Sequence, residues 1–275
     1  EKEYRFAQGF ENFTQGLIEK FPGESHAIES FVSKIRQVGQ SGNFFNFRTF
    51  DPAIGPVAFN PLRALNAHRF ISSITTNNDL RNIMAGLNDL IGAPKEKINM
   101  YILGMIYFTY IQSAWRFVDG SSQLANSLAD VITSCGGTIL TDHQVMEFKL
   151  GSKKEIVSLR TKQNMEVFGK KFISGIHPAS TIRLLPPDAL RRVYINRIKS
   201  LENSSGMFTL YIVLKPGTFP YLNYNYTCGL TDEMWTEKNQ HNNWPHSYWF
   251  ETPANSQSAD LARAVTILSP IGFEV

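Results

Sequence analysis

One stretch of the sequence limits the possible folds more than any other. Residues 120–150, GSSQLANSLADVITSCGGTILTDHQVMEFKL, read as a helix, a double-glycine stop and a strand in immediate succession. Ser121 and Ser122 offer side-chain oxygens to the free amides of a helix start. The double glycine at 136–137 allows the positive φ that ends a helix, and the residues after it suit a strand. Apolar residues at spacings of three and four predict one buried helical face, formed by Leu124, Leu128, Val131, Ile132 and Cys135.

The composition is typical of a globular protein. The chain has 275 residues, 43% of them hydrophobic, and a net charge of +3, so it can bury a sizeable core. No run of five or more like charges occurs, and nothing demands nucleic acid or an anionic membrane as a partner. Cys135 and Cys228 fit neither a disulfide framework nor a zinc site, which predicts two buried thiols in a reducing compartment such as the cytoplasm.

Only one segment resembles a membrane span. Eighteen uncharged residues lie between Lys97 and Arg116, whereas a helix needs about 20 predominantly apolar residues to cross a bilayer. Polar residues inside this segment weaken the likeness further. The sequence therefore favours a buried helix or one that lines an apolar cavity, with shallow contact to a membrane surface as the alternative.

The periodicity changes along the chain from helical to extended. Helical spacing dominates up to about residue 118 and is interrupted by an expected loop at 39–61. The predicted helices are 10–21, 28–38, 63–73, 78–91, 94–117, 180–185 and 188–198. The predicted strands after the opening stretch are 156–161, 165–168, 171–174, 207–214, 221–228, 248–251 and 264–269. This order indicates an α+β fold in which a helical block accompanies mixed or antiparallel sheet.

No catalytic or metal-binding motif is recognisable from the residues alone. The six histidines include no pair at a helical ligand spacing, and His241 and His246 are expected in a surface loop. A GxSxG elbow and a GxGxxG dinucleotide turn are both missing. Aromatic residues are more suggestive, because they can line an apolar pocket, although core packing is the commoner role of any single ring. The aromatic residues expected at a substrate pocket are Tyr107, Tyr110, Trp115 and Tyr224.

Four short motifs, taken in order, resemble a known family. Residues 120–124, the helix after them, residues 135–139 and Val145 resemble the central GG-x-x-x-L, GG-x-I and valine pattern of the FAD-dependent amine-oxidase superfamily. The resemblance is closest to its phytoene desaturase, carotenoid isomerase and retinol saturase-like branch. Residues 21–24, FPGE, resemble that branch's FP-x-E helix end, and residues 172–178, FISGIHP, resemble its V-x-S-N-A-x-P strand end. The resemblance covers almost all of the chain.

The family's architecture gives each part of the chain an expected place. The resemblance implies a two-domain flavoprotein in which residues 119–181 are the middle segment of the FAD-binding domain. Residues 1–118, mostly helical, and 182–275, richer in sheet, would build the substrate domain. The family's N-terminal GxGxxG unit and C-terminal flavin-closing segment have no counterpart in this sequence. We therefore expect an internal piece of a longer protein, and FAD binding that is weak or absent in the piece by itself.

The resemblance also implies which residues would contact the cofactor. Main-chain groups of Val145 would meet the adenine end of FAD, and Ser174 and Gly175 would lie near the adenosine. Gly120, Ser121, Ser122 and Gln123 would approach the flavin and the substrate. Two positions depart from the family pattern, since Ser121 replaces the second glycine and Gly175 replaces the usual asparagine.

The function implied by the resemblance is an FAD-dependent oxidoreductase acting on a hydrophobic, isoprenoid or polyene substrate by hydride transfer to or from the flavin. No side chain is assigned as acid or base, because the cofactor carries this chemistry. One alternative is a flavin-dependent isomerase of polyenes, and another is a non-catalytic lipid-binding module. Neither a metal nor a nucleic acid is expected as a partner.

Overall fold

The computed structural model describes residues 2–41, 61–231, 233–235 and 244–272. The chain divides into two compact units. The larger unit consists of Glu1–Ser121 and Ser204–Val275, and the smaller unit is Ser122–Asn203. Most of the loop expected at 39–61 falls outside the described residues, as does His241.

Five helices open the larger unit. They are α1 (Phe10–Lys20), α2 (Ser25–Ser41), α3 (Ala67–Ile74), α4 (Asn78–Ala85) and α5 (Met100–Gln112). All five were expected, but α3, α4 and α5 are shorter than predicted. The prediction of a helix from 94 to 117 was wrong at both ends. The side chain of Asn99 accepts a hydrogen bond from the Ile102 amide and so begins α5 there, and extended backbone at Ser113 ends it.

The aromatic and aliphatic side chains of the five helices pack together and form a core. Helices α2 and α5 approach closely at Gly104, where an added Cβ would lie 2.9 Å from Val38 Cγ2. Glycine is therefore required for this helix contact rather than for a turn. The largest fully buried side chains are Tyr107, Phe13, Phe31, Ile28, Ile35, Ile71, Leu80, Met84, Ile98, Met100, Leu103 and Ile111. In the described residues, no helix has both the length and the apolar character needed to cross a membrane.

The smaller unit begins with α6 (Ser122–Ser134), as the sequence predicts, and Gly136 follows it with a φ of 81°. The prediction that the apolar stripe of α6 is buried was wrong. Its side chains are between 46% and 60% exposed, because nothing in the described part of the chain covers them: Leu124, Leu128, Val131 and Ile132. Cys135 lies at the end of this stripe and is likewise exposed, whereas Cys228 is half-buried, so the expectation of two buried thiols was also wrong.

An antiparallel meander and two short helices complete the smaller unit. The strands are β1 (Val145–Leu150), β2 (Ile156–Thr161) and β3 (Glu166–Phe168), and the helices are α7 (Pro178–Arg183) and α8 (Arg192–Lys199). The strand order is β1-β2-β3, with Phe148 opposite Leu159. The expected strand at 171–174 does not form, because pairing with β2 ends at Phe168. The Phe148 amide donates to the Leu184 carbonyl at 2.8 Å, so β1 is tied to the end of α7.

The larger unit closes with a four-stranded sheet. Its strands are β4 (Gly206–Val213), β5 (Tyr226–Gly229), β6 (Ser247–Glu251) and β7 (Ala264–Ile271), in the order β4-β7-β6-β5. Leu268 of β7 is opposite both Thr209 and Trp249, and every pairing is antiparallel. The predicted strand at 221–228 begins only at Tyr226. Both sheets are antiparallel, and the α+β class predicted from the sequence is confirmed.

The smaller unit extends to Asn203, whereas the family resemblance suggested a boundary at 181. Helices α7 and α8 contact each other within it. The assignment of residues 119–181 to a flavin-binding domain, and of residues 1–118 and 182–275 to a substrate domain, stays a prediction.

Candidate functional site

A short segment after α5, residues 113–119, is hydrogen-bonded to the loops at residues 222–225 and 252–256 of the larger unit, and we call it the strap. Its central residue is Arg116, whose guanidinium is turned inward. Nη1 of Arg116 donates to the main-chain carbonyls of Thr252, at 2.7 Å, and of Leu222, at 3.1 Å. Nη2 donates to the side-chain oxygen of Asn225, and the guanidinium carbon lies 5.8 Å from the ring centroid of Tyr221. One side chain thus joins the strap to two distant loops.

The loops that receive Arg116 are bound to each other. Thr252 is fully buried, and its hydroxyl accepts from the Leu222 amide at 2.8 Å while donating to the Leu222 carbonyl at 3.1 Å. The Leu222 carbonyl therefore accepts from both Thr252 and Arg116. Because a bond from a charged donor is stronger than a neutral one, the guanidinium is the principal fastening of the strap.

The far end of the strap is fastened by Asp119. Its amide donates to the Ala254 carbonyl at 2.9 Å, and its carboxylate accepts from the Ser256 amide at 2.9 Å. Hydrogen bonding from Ser256 holds the pKa of the Asp119 carboxyl below its ordinary value. Asp119 and Gly120 both have positive φ, at 64° and 94°, so the chain turns sharply just before the first residue of α6. These bonds determine the main-chain conformation at Gly120.

The strap exposes its apolar side chains. Trp115 is 93% exposed and Phe117 is 50% exposed, on either side of the inward-pointing Arg116. Tyr224, next to the Asn225 that accepts from Arg116, is also exposed and packs edge-on against Tyr226 with ring centroids 5.3 Å apart. Exposed aromatic residues are thus the sequence neighbours both of Arg116 and of its acceptor Asn225.

The other aromatic residues expected at a substrate pocket lie elsewhere. Tyr107 is fully buried in the core with its ring 5.2 Å from that of Phe31, and burial raises the pKa of its hydroxyl. Tyr110 is half-buried and packs edge-on against Trp249 at 6.3 Å. Its pKa is raised by burial and, to a lesser degree, by the Glu251 carboxylate. A pocket formed jointly by Tyr107, Tyr110, Trp115 and Tyr224 stays a prediction.

The residues expected to contact the cofactor occupy turns and element ends. Gly120 and Ser121 end the first segment of the larger unit, and Ser122 and Gln123 begin α6. At both Gly120 and Gly175, an added Cβ would meet no atom within 4 Å. The Ser174 hydroxyl lies 2.7 Å from the Thr181 hydroxyl of α7. These glycines leave open space beside the main chain, and their contact with a cofactor stays a prediction.

A polar cavity opens beside the start of β1, where Val145 lies. It has a volume of about 770 Å³. The loop before β1 is tied to the turn after β2, because the Lys162 amide donates to the Gln144 carbonyl at 2.8 Å. The six lining residues are Leu140, Asp142, His143, Gln144, Lys162 and Gln163. Sequence reasoning missed this cavity, since polar residues in two turns form no recognisable pattern.

Histidines form no metal site in the described part of the chain. No group of three or more His, Cys, Asp or Glu side chains there could hold a metal ion. The expectation that His246 lies in a surface loop was wrong, because it is buried just before β6. His177 caps the N-terminus of α7, where its ring accepts a hydrogen bond from the Ala179 amide.

Two curated proteins that are similar to this chain carry the same name. No family model matches the chain. The chain is 23% identical over 230 residues to all-trans-retinol 13,14-reductase from Danio rerio, covering 77% of this chain and 38% of the relative. It is 21% identical over 233 residues to the Rattus norvegicus protein of that name, covering 78% and 38%. The chain is distantly similar to all-trans-retinol 13,14-reductases.

The chain spans about two fifths of the length of these retinol reductases. Among solved structures, a protein from Pyrococcus furiosus matches 76% of this chain and 49% of its own, with 15% identity and a TM-score of 0.48.

Proposed function

We propose that the complete protein is an FAD-dependent oxidoreductase that acts on a retinoid or a related polyene. The observation that carries this proposal is the similarity to two retinol reductases over more than three quarters of the chain. The motifs around residues 120–124, 135–139 and 172–178 also support it, because their order resembles that of an FAD-binding family.

Two glycines among the residues proposed to contact FAD leave room beside the main chain, which supports FAD as the cofactor. Open space at Gly120 and Gly175 allows a flat ring or a ribose to approach the main chain. In the proposed arrangement, Val145 meets the adenine end and Ser174 with Gly175 meets the adenosine. Gly120, Ser121, Ser122 and Gln123 approach the flavin. When bound, FAD supplies hydride transfer, and the chain's own residues orient it and exclude water.

The aromatic side chains of the larger unit suit an apolar substrate. Trp115 and Tyr224 are exposed, and Tyr110 is half-buried at the sheet. Aromatic rings can stack on a conjugated hydrocarbon chain, and this contact needs no polar group on the ligand. Tyr107 contributes to the helical core in this proposal, since it is fully buried.

The experiment that tests the proposal uses protein expressed from the complete reading frame that contains this sequence. The purified protein is incubated with FAD, reduced with dithionite and supplied with all-trans-retinol. We expect bound flavin in the absorption spectrum and a product heavier than retinol by two hydrogens.

The outcomes separate the alternatives. A product of equal mass but altered retention would indicate a polyene isomerase. Bound retinol without conversion and without flavin absorbance would indicate a lipid-binding module. Either result, or failure of the complete protein to bind FAD, would overturn the oxidoreductase proposal.

A further inference from the structure

Asp119 is held at two points by the loop after β6. Its amide donates to the Ala254 carbonyl and its carboxylate accepts from the Ser256 amide, both at 2.9 Å. The bond to the carboxylate is charge-assisted and is therefore the stronger of the two. A residue bonded at both its main chain and its side chain can rotate about neither bond without breaking the other. The loop thus fixes the orientation of Asp119 as well as its place.

The loop that holds Asp119 is ordered by hydrogen bonds of its own. The side-chain oxygen of Asn255 accepts from the amides of Gln257 and Ser258, at 3.2 and 3.0 Å. The Ser258 hydroxyl accepts from the Leu261 amide at 3.0 Å, and the Leu261 carbonyl accepts from Asn255 Nδ2 at 3.1 Å. None of these bonds involves Asp119, so they order the loop independently of it.

The bonds to the loop hold Asp119 in a conformation that is uncommon for a residue with a side chain. Its φ is 64°, in the left-handed region, and Gly120 follows with a φ of 94°. Asp and Asn are enriched several-fold among the few residues other than glycine that adopt this region. Such a conformation persists only where its surroundings stabilise it. The two bonds therefore determine the turn that leads into Gly120.

The main chain at Gly120 is fixed in conformation and open on one side. An added Cβ there would meet no atom within 4 Å. The proposed function places the flavin beside this main chain. The apparent affinity of a ligand falls in proportion to the fraction of molecules that have the binding conformation. A turn that is fixed before the cofactor arrives therefore raises the affinity for that cofactor.

We propose that Asp119 is a positioning residue that holds the main chain of Gly120 and Ser121 in the conformation that binds the flavin. This inference rests on the proposed function for the identity of the cofactor. Asp119 is not among the residues that the family resemblance implies as cofactor contacts. It acts through the main chain that follows it and through the loop at residues 254–256.

The test compares Asp119→Asn with Asp119→Gly in protein expressed from the complete reading frame. Asparagine keeps an oxygen acceptor and tolerates the left-handed region, whereas glycine tolerates the conformation but has no acceptor. We expect Asp119→Asn to bind FAD nearly as well as the unaltered protein, and Asp119→Gly to bind about tenfold more weakly in a flavin fluorescence titration. Lys154→Gly, at an exposed turn residue that also has a φ of 64°, is the matched control and should bind FAD normally.

A second measurement uses no flavin. Hydrogen–deuterium exchange of the complete protein without FAD reports the bond from the Asp119 amide to the Ala254 carbonyl. We expect the peptide that contains residues 119–121 to exchange faster in Asp119→Gly than in the unaltered protein, and Asp119→Asn to retain its protection. Peptides from α5 should exchange at the unaltered rate in both variants, which separates a local change from loss of folding.

Three results would overturn the inference. Equal FAD affinity in Asp119→Gly and the unaltered protein would remove the positioning role. Weak FAD binding by Asp119→Asn would show that the negative charge is needed, and not an acceptor that fixes the turn. Unchanged exchange at residues 119–121 in Asp119→Gly would show that the turn does not depend on this side chain. Each of these results leaves the proposed function intact, whereas failure of the unaltered protein to bind FAD would overturn both.

Discussion

The hydroxyl of Thr252 and the main chain of Leu222 bind each other in both directions. The hydroxyl accepts from the Leu222 amide at 2.8 Å and donates to the Leu222 carbonyl at 3.1 Å, and Thr252 is fully buried. The same two residues supply the two carbonyls that receive Arg116. The stability of the loop pair and the placement of the strap therefore depend on one hydroxyl.

Thr252→Val keeps the shape of this side chain and removes its hydroxyl. We expect a loss of about 1–3 kcal/mol in the free energy of unfolding, because the part-buried Leu222 amide is left without an acceptor. Urea unfolding followed by circular dichroism measures the change. Thr252→Ser retains the hydroxyl and should lose clearly less stability than the valine variant. Equal losses in both variants would mean that packing of the methyl group, and not the hydrogen bonds, stabilises the loops.

Gly104→Ala tests the close approach of α2 and α5. The new methyl group would lie 2.9 Å from Val38 Cγ2, so one helix must shift. We expect a loss of about 1–3 kcal/mol in unfolding free energy from this overpacking. The matched control is Gly16→Ala in α1, where no atom lies within 4 Å of the added Cβ. That control should gain roughly 0.5–1 kcal/mol, because alanine is the better helix former. A stabilised Gly104→Ala would contradict the close contact.

Tyr107 gives the core a pH dependence. Its hydroxyl donates to the Ile83 carbonyl, and burial raises its pKa above the ordinary value of 10.0. In the unfolded chain the phenol ionises near pH 10, whereas in the folded chain it stays neutral. Stability from this group is therefore complete below pH 10 and decreases as the pH rises above it.

Comparison with Tyr107→Phe isolates this contribution from those of the other tyrosines. The variant should lose about 1 kcal/mol at neutral pH, because the Ile83 carbonyl loses its donor. Between pH 9 and about pH 11 the unaltered chain should lose more stability than the variant, as measured by urea unfolding at each pH. Parallel pH curves would show that the Tyr107 phenol ionises equally in both states.

Local patterns in the sequence were sufficient to predict most elements of the fold. Phe13 and Leu17 repeat at helical spacing in α1, and Leu210 and Ile212 alternate in β4, so each segment indicates its own structure. Errors in the predicted element boundaries arose where a single side chain overrides the pattern of apolar residues. The Asn99 cap begins α5 six residues after Pro94 because its side chain competes successfully for the first free amides.

The strap could be predicted only in part. Trp115 was recognised by its residue type, but its exposure depends on what the rest of the chain covers. Arg116 ended an uncharged run and carried no further signal. Its partners are main-chain carbonyls of Leu222 and Thr252, more than a hundred positions away. Every residue has a main-chain carbonyl, so the sequence does not indicate which carbonyls accept such bonds. These contacts can be identified only in the folded chain.

The exposed stripe of α6 predicts tolerance to polar substitution in this chain. Leu128→Gln and Val131→Gln should each change the unfolding free energy by no more than about 0.5 kcal/mol, because both side chains are more than half exposed. Binding of the dye ANS should decrease in the double variant as apolar surface is removed. Leu103→Gln in the fully buried part of α5 is the contrast and should lose roughly 2–5 kcal/mol. A comparable loss in the α6 variants would show that the stripe is packed.

Alanine substitutions at Gly120 and Gly175 separate two effects on stability, that of the backbone conformation and that of the space available to a side chain. Gly120 has a φ of 94° and no atom within 4 Å of an added Cβ, so Gly120→Ala meets conformational strain and no clash. We expect a loss of about 1–2 kcal/mol in unfolding free energy. Gly175 has equal space around it but an ordinary φ, and Gly175→Ala should leave stability unchanged or slightly higher. Urea unfolding of the two variants in parallel measures the difference. If both variants unfolded at the same urea concentration, the left-handed turn after Asp119 would not be a constraint on this part of the chain.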